Sequence, residues 1–155
     1  NELFIDEAVN QFSKAYQKRY LNKTIPYEGI LKLLESLEEK GIKIAVNSNK
    51  RGDYTSALVN KYFSQFPWVA VYGEREREGI PKKPNPSAAL EIANHMNLPA
   101  EEILYIGDSK TDMQTGQNAG MDTIGVSWGF RGRKELEENH ASYVVDHPED
   151  ILKFI

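Results

Sequence analysis

Two carboxylates four positions apart, Asp108 and Asp112, follow the apolar run Ile103-Leu104-Tyr105-Ile106 where Gly107 interrupts it. An apolar run bounded by glycine reads as a buried parallel strand. The segment from Lys110 to Ala119, closed by Gly120, reads as the helix behind it. Asp108 then falls in the strand-to-helix turn and Asp112 in the first helical turn, so their carboxylates converge. At about 4 Å such a pair repels by roughly 4 kcal/mol at an effective dielectric constant of about 20. A helix N-terminus offsets only ~0.3–1 kcal/mol per acid. The pair therefore calls for a cation, and oxygen-only ligands favour magnesium or calcium over zinc. Taken alone, the segment is equally well explained by a helix-capping Asp112 and a turn-forming Asp108.

Two further clusters change that balance. The β-rich run Ile42-Lys43-Ile44-Ala45-Val46 ends in Asn47-Ser48-Asn49-Lys50, which supplies a hydroxyl, amides and an ammonium. Serine by itself is a common cap or turn former. Lys82-Lys83-Pro84-Asn85-Pro86-Ser87 leads into a helical stripe of Ala89, Ile92, Ala93 and Met96. Pro84 holds its predecessor extended, so Lys83 is fixed just ahead of a helix. A lysine in a charged loop is otherwise solvated surface. The clusters share one expected location, because Ser48 and Asp108 both lie just past the carboxyl end of a parallel strand. Open α/β sheets bind ligands along that edge. A hydroxyl, a lysine and an acid pair converging there suit a phosphate held with a magnesium ion.

With these residues in place the chain resembles the haloacid dehalogenase-like hydrolases, and within them the phosphoglycolate phosphatase-like branch. That superfamily carries, in order, a D-x-D-x-(T/V) strand end, a strand ending in Ser or Thr, a lysine usually followed by proline, and a G-D-x-x-x-D motif. Ser48 matches the second, Lys83 in Lys83-Pro84 the third, and Gly107, Asp108 and Asp112 the fourth. The branch-level likeness lies in Asn118-Ala119-Gly120-Met121, Gly125-Val126-Ser127-Trp128-Gly129-Phe130 and Ala141-Ser142-Tyr143-Val144-Val145-Asp146. The resemblance runs from about Tyr27 to Ile155. It implies magnesium-dependent hydrolysis of a phosphate monoester through an aspartyl-phosphate, with a small phosphorylated metabolite as substrate. In that scheme Asp108 ligates Mg2+, with Asp112 beside it as ligand or support. Ser48 donates to a phosphoryl oxygen, Lys83 neutralises phosphate charge, and Asn49 assists.

The first motif is missing. No D-x-D occurs in the sequence, and Asp6-Glu7 follows an apolar run that continues as a helical pattern. We read the chain as the C-terminal piece of a longer protein, without the core's first strand, the nucleophilic aspartate and most of a cap. On this reading the 155-residue chain is inactive by itself. The rival readings are a non-catalytic phosphate- or metal-binding or regulatory relative, and a phosphomutase of the same superfamily.

The elements needed to position these groups follow from periodicity. Leu3 to Tyr20 shows a helical stripe of Phe4, Ala8, Phe12, Ala15 and Tyr16. By resemblance it is the last cap helix, with Thr24-Ile25-Pro26 as the hinge. The expected division is a cap remnant and hinge over 1–24 and an α/β core over 25–155. Helices are expected over Gly29 to Lys40, Asp53 to Tyr62 and Lys134 to Glu138, with a helical turn over Glu149 to Phe154. Strands are expected up to Ser48 and over Val69 to Tyr72, Thr123 to Val126 and Tyr143 to Val145. Such alternation predicts a Rossmann-like parallel sheet with helices on both faces.

Composition fits one globular domain of 155 residues, 40% hydrophobic and 27% charged. A net charge of -4 gives no reason to expect nucleic acid or an anionic membrane as partner. The short basic cluster of Arg131, Arg133 and Lys134 is expected to be solvated surface. There is no cysteine, which excludes disulfides and thiol catalysis, and His95, His140 and His147 show no zinc-ligand spacing. No apolar run is long enough for a membrane span, and a cytoplasmic location is expected. Substrate identity and oligomeric state are not encoded in any pattern here, and Trp128 fits either the site's border or a core plug.

Overall fold

The computed structural model describes the backbone of residues 2–5 and the whole of residues 26–155. In chain order the elements are β1 (Glu2–Ile5), α1 (Ile30–Glu39), β2 (Ile44–Arg51), α2 (Gly52–Tyr62) and β3 (Trp68–Glu74). Then come α3 (Ser87–Met96), β4 (Ile103–Gly107), α4 (Lys110–Asn118), β5 (Asp122–Val126), α5 (Gly132–Glu138) and β6 (Tyr143–Val145). A 3₁₀ stretch, Pro148–Phe154, follows. The strands form one six-stranded sheet in the order β3-β2-β1-β4-β5-β6, and every pairing is parallel.

Burial explains why the strands are continuous apolar runs. Along β4, Leu104 and Ile106 enter the core cluster built with Leu33, Leu34, Leu37 and Leu58. Ile103 and Tyr105 point the other way, into a cluster with Ile92 and Met96. Both faces are covered, so no position can alternate to polar. On α1 the buried positions Ile30, Leu33, Leu34 and Leu37 follow a helical period. Each such side chain contributes about 1.5–3 kcal/mol when fully buried. Gly41, at φ 70°, takes the left-handed turn that frees the chain to enter β2.

The expected helix from Leu3 is corrected at its start. Glu2–Ile5 are extended and occupy the centre of the sheet, Leu3 beside Ile44 on one side and Leu104 on the other. Three apolar residues in a row do not distinguish the two periods. An extended segment here pairs two rows of backbone groups that β2 and β4 would otherwise leave unsatisfied. A core without its first strand was expected; the central place is filled, by a segment neither containing nor followed by a D-x-D. The rest of the predicted cap helix, with Tyr16 and Tyr20, and the hinge residues Thr24 and Ile25 lie outside the described residues.

Smaller differences concern element ends. β2 runs three residues past Ser48 to Arg51, with an irregular register against β3 between Asn47 and Arg51. α5 begins at Gly132, two residues before the apolar pattern suggests. The last turn is 3₁₀, not α. Among the described residues no helix is long and apolar enough to cross a membrane.

Candidate active site at the carboxyl edge of the sheet

The turn after β4 is built around the Asp112 carboxylate, which is fully buried. Its Oδ2 accepts hydrogen bonds from the backbone N–H of Asp108 at 3.1 Å and of Ser109 at 3.2 Å, and from the Ser109 hydroxyl at 2.9 Å. Ser109 Oγ in turn caps α4 by accepting from the Asp112 N–H, a reciprocal capping box. Gly107 makes the closure sterically possible. A Cβ there would lie 2.2 Å from the Asp112 Cβ.

Asp112 Oδ1 faces the opposite way and accepts from Lys83 Nζ at 2.7 Å. Both groups are removed from solvent, with side-chain exposures of 3% and 1%. Lys83 is delivered by the loop ahead of α3, where its peptide bond to Pro84 is cis. Asn49 clamps that loop from the end of β2. Its Oδ1 accepts the Lys83 N–H at 2.9 Å, and its Nδ2 donates to the Lys83 carbonyl at 3.2 Å. On the far side, Asn118 Nδ2 donates to the Pro84 carbonyl at 3.0 Å.

Ser48 is buried beside this clamp, and its Oγ accepts the Lys50 N–H at 3.1 Å. Behind it Asn47 Nδ2 donates to the Tyr105 hydroxyl at 3.1 Å. Burial pushes the Tyr105 phenol well above its ordinary range, and the Asp112 charge adds to the shift. The hydroxyl is therefore a neutral partner in the network.

Asn49, Lys83 and Asp108 open onto a small cavity of about 160 Å³, together with Lys110, Arg131 and Glu135. Ser48 borders a neighbouring space of about 10 Å³ that shares Asn49 and Lys83 with it. The predicted residues thus gather at one rim. Lys83, Asn49, Asp108 and Asp112 are in one network, and Ser48 adjoins it. A larger groove of about 720 Å³, bordered by Tyr27, Trp128 and His147, contains none of them. Trp128 belongs to that groove and packs against the core beneath it. The three histidines are exposed, as expected.

The donor set bears on a metal. Asp108 is a buried carboxylate at the cavity wall, whereas both Asp112 oxygens are engaged by protein donors. Among the described residues no group of three His, Asp or Glu side chains could hold a metal by itself. Hard oxygen donors in small number suit Mg2+, which takes one or two carboxylates and completes its shell with phosphate oxygens and water.

Sequence reasoning gave no site role to Gly129 and Arg131 of the β5–α5 loop or to Glu135 behind it. A Cβ on Gly129 would lie 2.4 Å from Asp108, so the loop passes directly over that carboxylate. Glu135 Oε2 accepts the Lys110 N–H at 2.9 Å, and Arg131, expected as plain surface, lines the cavity. The available signal was position, since this segment follows the carboxyl end of β5 as Ser48 and Asp108 follow theirs.

Comparison with known proteins bears on the family and the fold. The family model described as "Haloacid dehalogenase-like hydrolase" matches residues 1–126. A phosphoglycolate phosphatase of Psychrobacter arcticus is 31% identical over 92% of this chain, which spans 61% of that protein. One from Pseudomonas savastanoi is 27% identical over 97% of this chain, which spans 54% of it. The chain therefore covers between half and two thirds of these relatives. The crystal structure of a putative phosphoglycolate phosphatase from Lactobacillus delbrueckii superposes with a TM-score of 0.80 at 37% identity, over 95% of this chain and 60% of that one.

Proposed function

The chain belongs to the haloacid dehalogenase-like hydrolases, and on that footing we propose that the protein containing it is a magnesium-dependent phosphatase of small phosphorylated metabolites, phosphoglycolate-like in preference. The observation that carries this reading is the buried contact of Lys83 with Asp112 beside Asp108 at the carboxyl edge. It holds an ammonium and a carboxylate wall facing one small polar cavity.

Each residue has a distinct task. Lys83, its Nζ fixed by Asp112 and its backbone by Asn49, presents positive charge to the phosphoryl group without reorganising. Asp108 is the proposed ligand for Mg2+, and Asp112 is assigned the supporting role because its oxygens already hold Lys83 and the turn. Ser48 is proposed to donate its hydroxyl hydrogen to a phosphoryl oxygen while its lone pair keeps the Lys50 N–H. The metal, when bound, supplies Lewis-acid charge stabilisation on the transferring phosphoryl group.

None of these groups attacks phosphorus. The reading therefore expects the 155-residue chain to be inactive by itself, with the nucleophile supplied by a D-x-D segment of the longer protein. Residues 6–24 are proposed as what remains of a cap, and the location as cytoplasmic. The test is hydrolysis of p-nitrophenyl phosphate with and without Mg2+ by the longer protein and by this chain. Magnesium-dependent turnover by the longer protein alone supports the reading. Turnover by this chain that disappears in Asp6→Asn, the residue after β1 in sequence, would replace the missing-nucleophile part of it. A non-catalytic relative remains the competing reading on one observation, the absence of D-x-D. No turnover by either protein, with phosphate still bound, would favour it.

A further inference from the structure

We propose that Arg131 and Lys110 form a seat for a second anionic group on the substrate, a carboxylate one or two carbons from the phosphate. The seat makes short phosphorylated acids the preferred ligands. This inference rests on the phosphatase reading above and adds residues to it.

The argument begins with how Arg131 is held. It lies in the loop between β5 and α5, and that loop is fastened on both sides of it. Before Arg131, Gly129 rests against the Asp108 carboxylate so closely that no side chain fits. After it, Glu135 in the first turn of α5 takes the Lys110 N–H at the start of α4. Gly132, at φ 80°, makes the turn between the two fastenings. Arg131 is exposed, yet its backbone is fixed over the cavity, which limits the entropy lost when its guanidinium binds.

Charge is uneven across the cavity. On the inner side Lys83 is matched by Asp112. Beyond that pair the wall holds Lys50 and Asp108, one charge of each sign, and Glu135 against two further cations, Lys110 and Arg131. Neither cation forms an ion pair among the described residues. By contrast Arg133, two positions on, is paired with Asp146 and Glu137 and does not line the cavity. One positive charge in excess, on a planar fork, suits a single carboxylate. The cavity of about 160 Å³ lies well below the range of roughly 300–1,000 Å³ usual for drug-sized ligands. The second anion must therefore sit close to the phosphate.

The test is calorimetric titration of the full chain, in Mg2+, with ethyl phosphate and with 2-phosphoglycolate, which differ by a carboxylate in place of a methyl group. Phosphoglycolate is expected to bind about tenfold more tightly, the effect of one charge-assisted pair at a partly exposed site. In Arg131→Ala that ratio should fall to about one; in Arg131→Lys part of it should survive, and in Arg133→Ala all of it. A wild-type ratio near one, or a ratio unchanged by Arg131→Ala, overturns the seat while ethyl phosphate binding keeps the phosphate site. Binding of neither ester overturns the phosphate reading and the seat with it.

Discussion

Lys83 Nζ and Asp112 Oδ1 meet at 2.7 Å with both side chains almost wholly buried, joining the loop before α3 to the first turn of α4. A buried pair of this kind stands only because each charge is satisfied by the other and by hydrogen bonds. Asp112 has the backbone and hydroxyl donors of the turn as well.

Breaking one side of that pair leaves a buried charge alone. Asp112→Asn and Lys83→Met are each expected to destabilise the fold by about 3–5 kcal/mol, measured by urea unfolding at neutral pH. The double variant should cost clearly less than the sum of the two. Additive losses would show that the two side chains do not depend on each other.

Asn49 is expected to matter through its clamp on Lys83. Asn49→Ala removes two hydrogen bonds, worth about 0.5–1.5 kcal/mol each, and frees the lysine loop. Hydrogen exchange of the Lys83 amide should quicken in this variant. Unchanged exchange would mean that the loop is held by Pro84 and Asn118 alone.

The close passage of Gly129 over Asp108 makes this glycine a positioning residue. Gly129→Ala should displace the Asp108 carboxylate and weaken Mg2+ binding about tenfold or more, followed by Mn2+ substitution and paramagnetic resonance. Global stability should fall by roughly 1–3 kcal/mol, the usual cost of overpacking. Intact metal affinity would show that the loop yields and the carboxylate does not.

Tyr105 gives the expected pH dependence. Its folded-state ionisation is raised well above the usual range by burial first and by Asp112 second. The stability tied to its neutral form is thus complete below the unfolded phenol value of about 10. It is lost as pH rises above that value toward the folded one. The urea midpoint should fall between pH 9 and about 11, and Tyr105→Phe should remove part of that fall while costing about 1 kcal/mol at pH 8 for the lost Asn47 bond. An identical alkaline fall in the variant would assign it to other groups.

The parts of this fold most visible in the sequence are those where one force dominates. Ile103–Gly107 is buried on both faces, so its apolar run and terminal glycine admit one reading, and the acids beyond it fall where the sheet edge puts them. The four positions of β1 are opposite in character. A three-residue apolar run carries no period, and its extended state depends on two flanking strands that are distant in sequence. At the site, Ser48 and Asp108 were legible because strand ends mark the rim, and Lys83 because Pro84 fixes it just ahead of α3. The division of labour between Asp108 and Asp112 was not, since it depends on which oxygens the Ser109 turn and Lys83 occupy. Arg131 looked like surface because its exposure is real. Only the contacts of Gly129 and Glu135 on either side of it place it over the cavity.

The most direct measurement is titration of the chain with inorganic phosphate in the presence and absence of Mg2+, for the wild type and for Asp108→Asn and Lys83→Met. We predict magnesium-dependent phosphate binding, weakened about tenfold or more in both variants, with Asp108→Asn also losing the dependence on the metal. Phosphate binding indifferent to Mg2+ and to both substitutions would contradict the assignment of this rim as the phosphoryl site.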